Sequence, residues 1–137
     1  MRTLVFATQK GGSGKSTLAA AVAQAARRAG RSVRLVETDP QGTLSSWRGR
    51  RPGRDLAVDA IHDAIDIEPH LQQLQSQAID IAIVDTSAGM TAVTRTAIMC
   101  ADLCLVPSRP SIADIEAAAA TLRVIKAARR PFAFILN

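Results

Sequence analysis

Residues Gln9–Thr17 read QKGGSGKST, which places three glycines and two lysines, Lys10 and Lys15, in one short stretch. Glycines allow successive backbone N–H groups to converge on one point, and a following helix adds its dipole, so such a stretch has the makings of a phosphate cradle. In that cradle Gly11, Gly12, Ser13 and Gly14 supply amides, and Lys15 reaches the β- and γ-phosphates of a nucleotide. The Ser16 hydroxyl holds Mg²⁺, and Thr17 contacts the phosphates one step along the helix. The competing reading is a flexible Gly/Ser turn with an incidental lysine. Strand, Gly-Lys-Ser-Thr and helix falling in register favour the cradle. The ordinary pattern G-x-x-x-x-G-K-[ST] would put its first glycine where Gln9 stands, and it gives Lys10 nothing to do.

The elements that must hold this loop are legible on either side of it. Thr3–Thr8 (TLVFAT) is an apolar run of strand formers. Leu18, Val22, Ala25 and Ala29 follow at spacings of 4, 3 and 4, predicting an alanine-rich helix with that face inward, closed by Gly30 after Arg27 and Arg28. SVRLVE (Ser32–Glu37) reads as a second strand leading into the turn TDPQGT, and WRGRRPGRD (Trp47–Asp55) as an exposed loop. LAVDAI (Leu56–Ile61) suggests a short strand and Glu68–Gln77 a polar helix. IDIAIVDT (Ile79–Thr86) is nearly continuous in apolar residues, as strands covered on both faces are. Met90–Ala101 reads as helix and DLCLVPS (Asp102–Ser108) as strand. Ser111 and Asp114 form a variant capping box on a long helix whose inner stripe is Ile115, Ala119 and Leu122, and FAFILN (Phe132–Asn137) is a last strand. Alternating strands and helices predict one α/β domain over residues 1–137, with a mostly parallel sheet flanked by helices. Asp85, ending its strand beside the glycine loop, fits the ligand-binding edge of a parallel sheet; alone, it equally fits a turn-forming aspartate.

The stretch QKGGSGKST resembles the deviant Walker A motif K-G-G-x-G-K-[ST] of the ParA/MinD family of ATPases, which are P-loop NTPases. The resemblance implies that Lys10 crosses a dimer interface to the phosphates of the partner's nucleotide, much as an arginine finger does. TDPQGT (Thr38–Thr43) is similar to the family's D-x-D-P-Q-G segment, and IAIVDTSAG (Ile81–Gly89) to its Walker B strand and the switch after it. By that match Asp39 positions the attacking water, senses the γ-phosphate and sits at the Mg²⁺ site, while Asp85 holds Mg²⁺ through a water molecule. PSRPSIADIEAA (Pro107–Ala118) resembles a segment of small ParA proteins. Asn137 matches a position from which an asparagine contacts adenine; a turn asparagine is the equal alternative. Two departures stand out. Glu37 replaces the first aspartate of D-x-D-P-Q-G, and no glutamate follows Asp85 to act as a general base, which implies slow, partner-stimulated turnover. Family domains also run further, so the sheet is expected to be incomplete at its C-terminal end, with an exposed apolar edge or helix face.

Composition limits the remaining choices. The 137 residues are 47% hydrophobic and 21% charged, suiting one globular domain. No apolar run approaches the roughly 18–20 residues of a membrane span, and MRTLVFATQKGG lacks the form of a signal peptide, so a cytoplasmic location without membrane attachment is expected. Cys100 and Cys104 lack metal-ligand spacing and read as free, buried thiols. A net charge of +5 favours acidic partners. Arg48, Arg50, Arg51 and Arg54 form one basic group, and Arg123, Lys126, Arg129 and Arg130 another. Either suits sequence-independent phosphate contact, and either also suits a solvated surface. The resemblance implies ATP or ADP and Mg²⁺ as ligands and an ATP-dependent homodimer that binds nonspecific double-stranded DNA on the nucleoid. It further implies release of that dimer by a ParB-like centromere-binding partner. The rival classes are a non-catalytic nucleotide-binding module and a MinD-like positioning ATPase. An iron–sulfur relative is disfavoured because DTSAGMT contains no cysteine.

Overall fold

The computed structural model describes residues 1–49 and 56–136. Arg50, Arg51, Arg54, Asn137 and the side chain of Arg48 lie outside the described residues. In chain order the elements are β1 (Arg2–Phe6), α1 (Lys15–Arg28), β2 (Val33–Glu37), α2 (Thr43–Gly49), β3 (Ala57–Ala60) and α3 (Ala64–Ser76). They continue with β4 (Ile81–Asp85), α4 (Ala92–Cys100), β5 (Leu103–Ser108), α5 (Ile112–Ala127) and β6 (Phe132–Leu136). The strands form one sheet in the order β3-β2-β4-β1-β5-β6, and every pairing is parallel.

Parallel strands need crossovers, and the crossovers here are the helices, which cover the sheet on both faces. One face buries Phe6, Leu35, Ile83 and Leu105 under Ala19, Ala20 and Ala23 of α1 and Leu44 of α2. The other buries Val5, Val36, Val84 and Val106 under α3, α4 and α5, through residues such as Ile67, Leu71, Ile98, Ala118 and Ile125. Alternate residues of each strand serve opposite faces, so the nearly unbroken apolar runs of β4 and β5 are both needed. Cys104 is buried and Cys100 half-buried, both free, and burial pushes the Cys104 thiol up to about 11. No helix among the described residues is long and apolar enough to cross a membrane.

Several expectations change. α3 begins at Ala64, four residues before Glu68, and buries Ile67, Leu71 and Leu74, and Cys100 is only half-buried. Trp47–Gly49 belong to α2 and not to a loop. On α1 the buried face is Lys15, Ala19, Ala20 and Ala23; Leu18 and Val22 flank it, while Ala25 and Ala29 are exposed. The smallest side chains face the sheet because they allow the close approach that a glycine turn into a helix requires. On α5 the buried stripe is Asp114, Ala118, Thr121 and Ile125, one position before the predicted one, and Ile115 is 61% exposed. Two polar residues occupy that stripe because its first turns face the glycine loop. The expected apolar edge is present: Phe134 and Leu136 of β6 and Ile112 and Ile115 of α5 are large, exposed hydrophobic residues.

Candidate functional site

The C-terminal ends of β1, β2, β4 and β5 meet at the glycine loop, where chain direction and strand order place a ligand in a parallel sheet. Gly12 and Gly14 have φ of +71° and +86°, in the left-handed region that glycine enters without a Cβ penalty. Gly14 is the N-cap of α1, and no side chain caps that helix or places an acid in its first turn. By contrast α3, α4 and α5 are capped by Asp63, Thr91 and Ser111. An uncapped helix start leaves amides and a positive dipole end for an anion.

Lys15 is buried, and its Nζ lies 3.5 Å from the Lys10 carbonyl oxygen. Burial holds its pKa below the usual lysine range, while the charges of Asp85 and Asp39 pull it back up. These predicted residues are therefore brought together. Asp85 is fully buried, on the α1 face of β4 at the level of Phe6 and Glu37. Among the described residues neither carboxylate oxygen reaches a donor in hydrogen-bonding geometry. Burial raises its pKa to about 6, against which the facing Ser16 hydroxyl and the Lys15 charge act. A buried, unsatisfied carboxylate facing a hydroxyl and an ammonium fits a cation that also takes oxygens from a bound phosphate. No group of three or more His, Cys, Asp or Glu able to hold a metal exists among the described residues, so a cation here must share its ligands with other oxygens.

Asp39 is half-buried, and its Oδ1 accepts from the Gln41 N–H at 3.0 Å, while its other oxygen has no hydrogen-bond partner among the described residues. Glu37 has a role that the sequence left open. Fully buried at the end of β2, it accepts from the Leu44 N–H at 2.6 Å and, through its other oxygen, from the Ser45 N–H at 3.1 Å and the Ser45 hydroxyl at 2.5 Å. The carboxylate thus caps α2 and fixes the turn that carries Asp39. The longer glutamate reaches across that turn to the helix start. Glu37→Ala is expected to lower stability by about 2–4 kcal/mol, since buried charge-assisted bonds are lost and helix N–H groups are orphaned. Denaturant midpoints measure this, and a loss under ~0.5 kcal/mol would contradict the capping role.

Lys10 does not point freely outward. Its Nζ lies 2.7 Å from Oδ2 of Asp114, whose side chain is 3% exposed. Two further ties bind the glycine loop to the β5–α5 region: Arg109 Nη2 donates to the Gly12 carbonyl at 2.6 Å, and the Gln9 N–H donates to the Thr121 hydroxyl at 3.2 Å. The sequence showed Asp114 as a capping-box residue, and its N–H does donate to the Ser111 hydroxyl. Its carboxylate has a second partner that local spacing cannot reveal. Ser16 and Thr17, with Ala20, Gln24, Thr43 and Leu44, line a cleft of about 260 Å³ between α1 and α2. Arg123, Lys126, Arg129 and Arg130 are exposed towards the other end of α5, where Lys126 lies over the Phe132 ring and Arg130 donates to the Met99 carbonyl.

Residues 4–137 match the family described as the CobQ/CobB/MinD/ParA nucleotide binding domain. The maintenance of carboxysome distribution protein A of Halothiobacillus neapolitanus is 33% identical over 132 residues, covering 93% of this chain and 60% of that protein. The chromosome-partitioning ATPase Soj of Thermus thermophilus is 27% identical over an alignment covering 96% of this chain and 65% of Soj. In fold, the chain is similar to cobyrinic acid a,c-diamide synthase of Mycobacterium smegmatis, solved with an ATP analog and magnesium. The TM-score is 0.87 at 20% identity, covering 99% of this chain and 74% of that one. The chain spans less than two thirds of the length of these two curated relatives.

Proposed function

This chain belongs to the CobQ/CobB/MinD/ParA nucleotide-binding family, and we propose that it is the nucleotide-binding part of an ATP-hydrolysing partition switch. In this reading ATP drives a homodimer that binds nonspecific double-stranded DNA, and hydrolysis, stimulated by a ParB-like partner, releases it. The observation that carries the reading is the pairing of an uncapped glycine-loop helix with the buried, unsatisfied Asp85 beside Lys15 and Ser16. The relatives in partitioning and positioning support the biological side of it.

The residues divide the work by position. The amides of Gly11, Gly12, Ser13 and Gly14 and the Lys15 ammonium hold the β- and γ-phosphates, and Thr17 holds the phosphate nearer the sugar. Ser16 and Asp85, with Asp39 at the rim, are the groups to hold Mg²⁺, which when bound neutralises phosphate charge. Asp39, half-buried on the turn anchored by Glu37, orients the attacking water and accepts its proton. The residue after Asp85 is Thr86, which carries no carboxylate to take a proton and donates its hydroxyl to the Phe6 carbonyl at 2.7 Å, so in this reading the base is Asp39. Lys10 supplies a cation to the partner's nucleotide, and Asn137 contacts adenine. The exposed Arg123 and Lys126 of α5, with Arg129 and Arg130 just after it, contact DNA phosphates, so affinity falls steeply with salt.

The test measures ATP hydrolysis and binding to double-stranded DNA with ATP and with ADP at fixed salt. Expected are slow hydrolysis and DNA binding in the ATP state alone, with hydrolysis lost in Asp39→Ala while a fluorescent nucleotide still binds. Nucleotide binding with no hydrolysis at all would replace this reading with a non-catalytic module. Hydrolysis unchanged in Asp39→Ala would remove Asp39 from its role.

A further inference from the structure

The two lysines of the glycine loop are held differently. Lys15 faces the carboxylates at the strand ends, whereas Lys10 is paired inside its own subunit with Asp114 from the first turn of α5. A lysine whose Nζ lies 2.7 Å from a carboxylate that is 3% exposed is folded back onto its own domain. It is not extended towards a second molecule. We propose that Asp114 is a positioning residue that keeps Lys10 in its own subunit until the phosphates of a nucleoside triphosphate in a second copy of this chain take it over. This inference rests on the reading above that Lys10 acts across a dimer interface.

The surroundings of Asp114 suit a contact that is made and broken. Removing the partner of a buried charge is normally costly because the remaining charge is stranded. Here the carboxylate also accepts from the Ser111 hydroxyl, and the Arg109 backbone N–H is close enough to favour its ionised form. The Ser111 hydroxyl therefore remains as an uncharged donor when Lys10 leaves, and the carboxylate stays hydrogen-bonded. The Lys10 side chain is 40% exposed, so its exit towards a partner is open. The loop behind it stays anchored by Arg109 to Gly12 and by Thr121 to Gln9, so the side chain can swing without unfolding the phosphate cradle. The exchange is electrostatic: one carboxylate competes with a triphosphate for one ammonium. A diphosphate, lacking the terminal group, competes less well, which ties release of Lys10 to the triphosphate.

The test compares wild type, Asp114→Asn, Lys10→Ala and the double variant by sedimentation over a range of Mg–ATP concentrations. Asp114→Asn keeps the shape and a bond to Ser111 but loses the charge. It is expected to lower the ATP concentration at half-dimerisation by roughly fivefold or more, within the usual range of coupling between sites. Lys10→Ala and the double variant are expected to stay monomeric. If Lys10→Ala dimerises like wild type, the action of Lys10 in trans is wrong and the restraint falls with it. If Lys10→Ala stays monomeric but Asp114→Asn dimerises at the wild-type concentration or a higher one, the in-trans role stands and the restraint is overturned. Wild type alone gives a second readout should Asp114→Asn not fold, because the chain has only three lysines. In ¹⁵N-lysine-labelled protein with ADP, the Lys10 ammonium is expected to exchange with water more slowly than that of exposed Lys126. Equal rates would overturn the proposal.

Discussion

Asp85→Asn is expected to raise the melting temperature of the nucleotide-free protein and at the same time to abolish the contribution of Mg²⁺ to nucleotide binding. The two effects share one cause. Asp85 is fully buried, and although the Ser16 hydroxyl and the Lys15 ammonium face it, neither of its oxygens has a partner in full hydrogen-bonding geometry among the described residues, so its charge is held at a cost. Displacement of its pKa from 3.8 to about 6 by burial corresponds to about 3 kcal/mol between the charged and protonated folded protein. The folded chain binds this proton more tightly than the unfolded one. The stabilising contribution is therefore complete below about pH 4 and is lost as pH rises through about 6. Asparagine removes that dependence. Its own buried amide is imperfectly satisfied, so the net gain at pH 8 is expected to be about 1–2 kcal/mol, or roughly 5 °C in Tm. For binding the sign reverses: a cation replaces the proton, so in wild type the Mg²⁺ contribution should weaken below about pH 6. Thermal melts from pH 4 to 8, paired with nucleotide titrations with and without Mg²⁺, measure both. A lower Tm for Asp85→Asn at pH 8, or undiminished Mg²⁺ dependence, would mean that Asp85 is structural.

What the sequence disclosed and what it withheld divide along one physical line. Local periodicity and composition carried the strands, because a strand covered on both faces is apolar along most of its length, and IAIV and LCLVP are, with a polar residue only at the end nearest the glycine loop. The glycine loop was legible because its shape is set by its own backbone: Gly12 and Gly14 take the left-handed φ that their residue type permits. Helix faces were less legible. On α1 the bulkier Leu18 and Val22 drew attention away from Ala19, Ala20 and Ala23, yet small size is what lets this helix lie close to the sheet. On α5 the apolar spacing points one position late, since nothing local announces that Asp114 and Thr121 face inward to partners more than a hundred residues away. Glu37 is the same lesson in milder form. As a replacement in a motif it had no clear duty, and only the return of the chain over β2 shows that its two oxygens cap α2. Contacts distant in sequence are written in two places, and neither place alone reveals them.

Lys15→Ala is the substitution expected to cost most in binding. Its ammonium is the only lysine charge turned toward the sheet-end carboxylates, since Lys10 is committed to Asp114 and Lys126 to the Phe132 ring. Contacts to two phosphates, at about 1.5–3 kcal/mol for each charge-assisted bond, predict a loss of at least about a hundredfold in ATP affinity. Stability should move far less, because two terms oppose each other. The variant no longer buries an ammonium, whose desolvation is the largest influence on its pKa. But it also takes from Asp85 a charge that now favours ionisation, leaving burial and the Glu37 and Asp39 charges to push that carboxyl further up. The fall in stability between pH 4 and 8 should therefore extend to higher pH in Lys15→Ala than in wild type. In the double variant Lys15→Ala/Asp85→Asn the contribution of this carboxylate should vanish. Fluorescent-nucleotide titration together with melts across that range separates the two roles. Unchanged ATP affinity would count against the phosphate site itself, whereas lost affinity with an unshifted pH profile would leave the site in place and break only the coupling of Lys15 to Asp85.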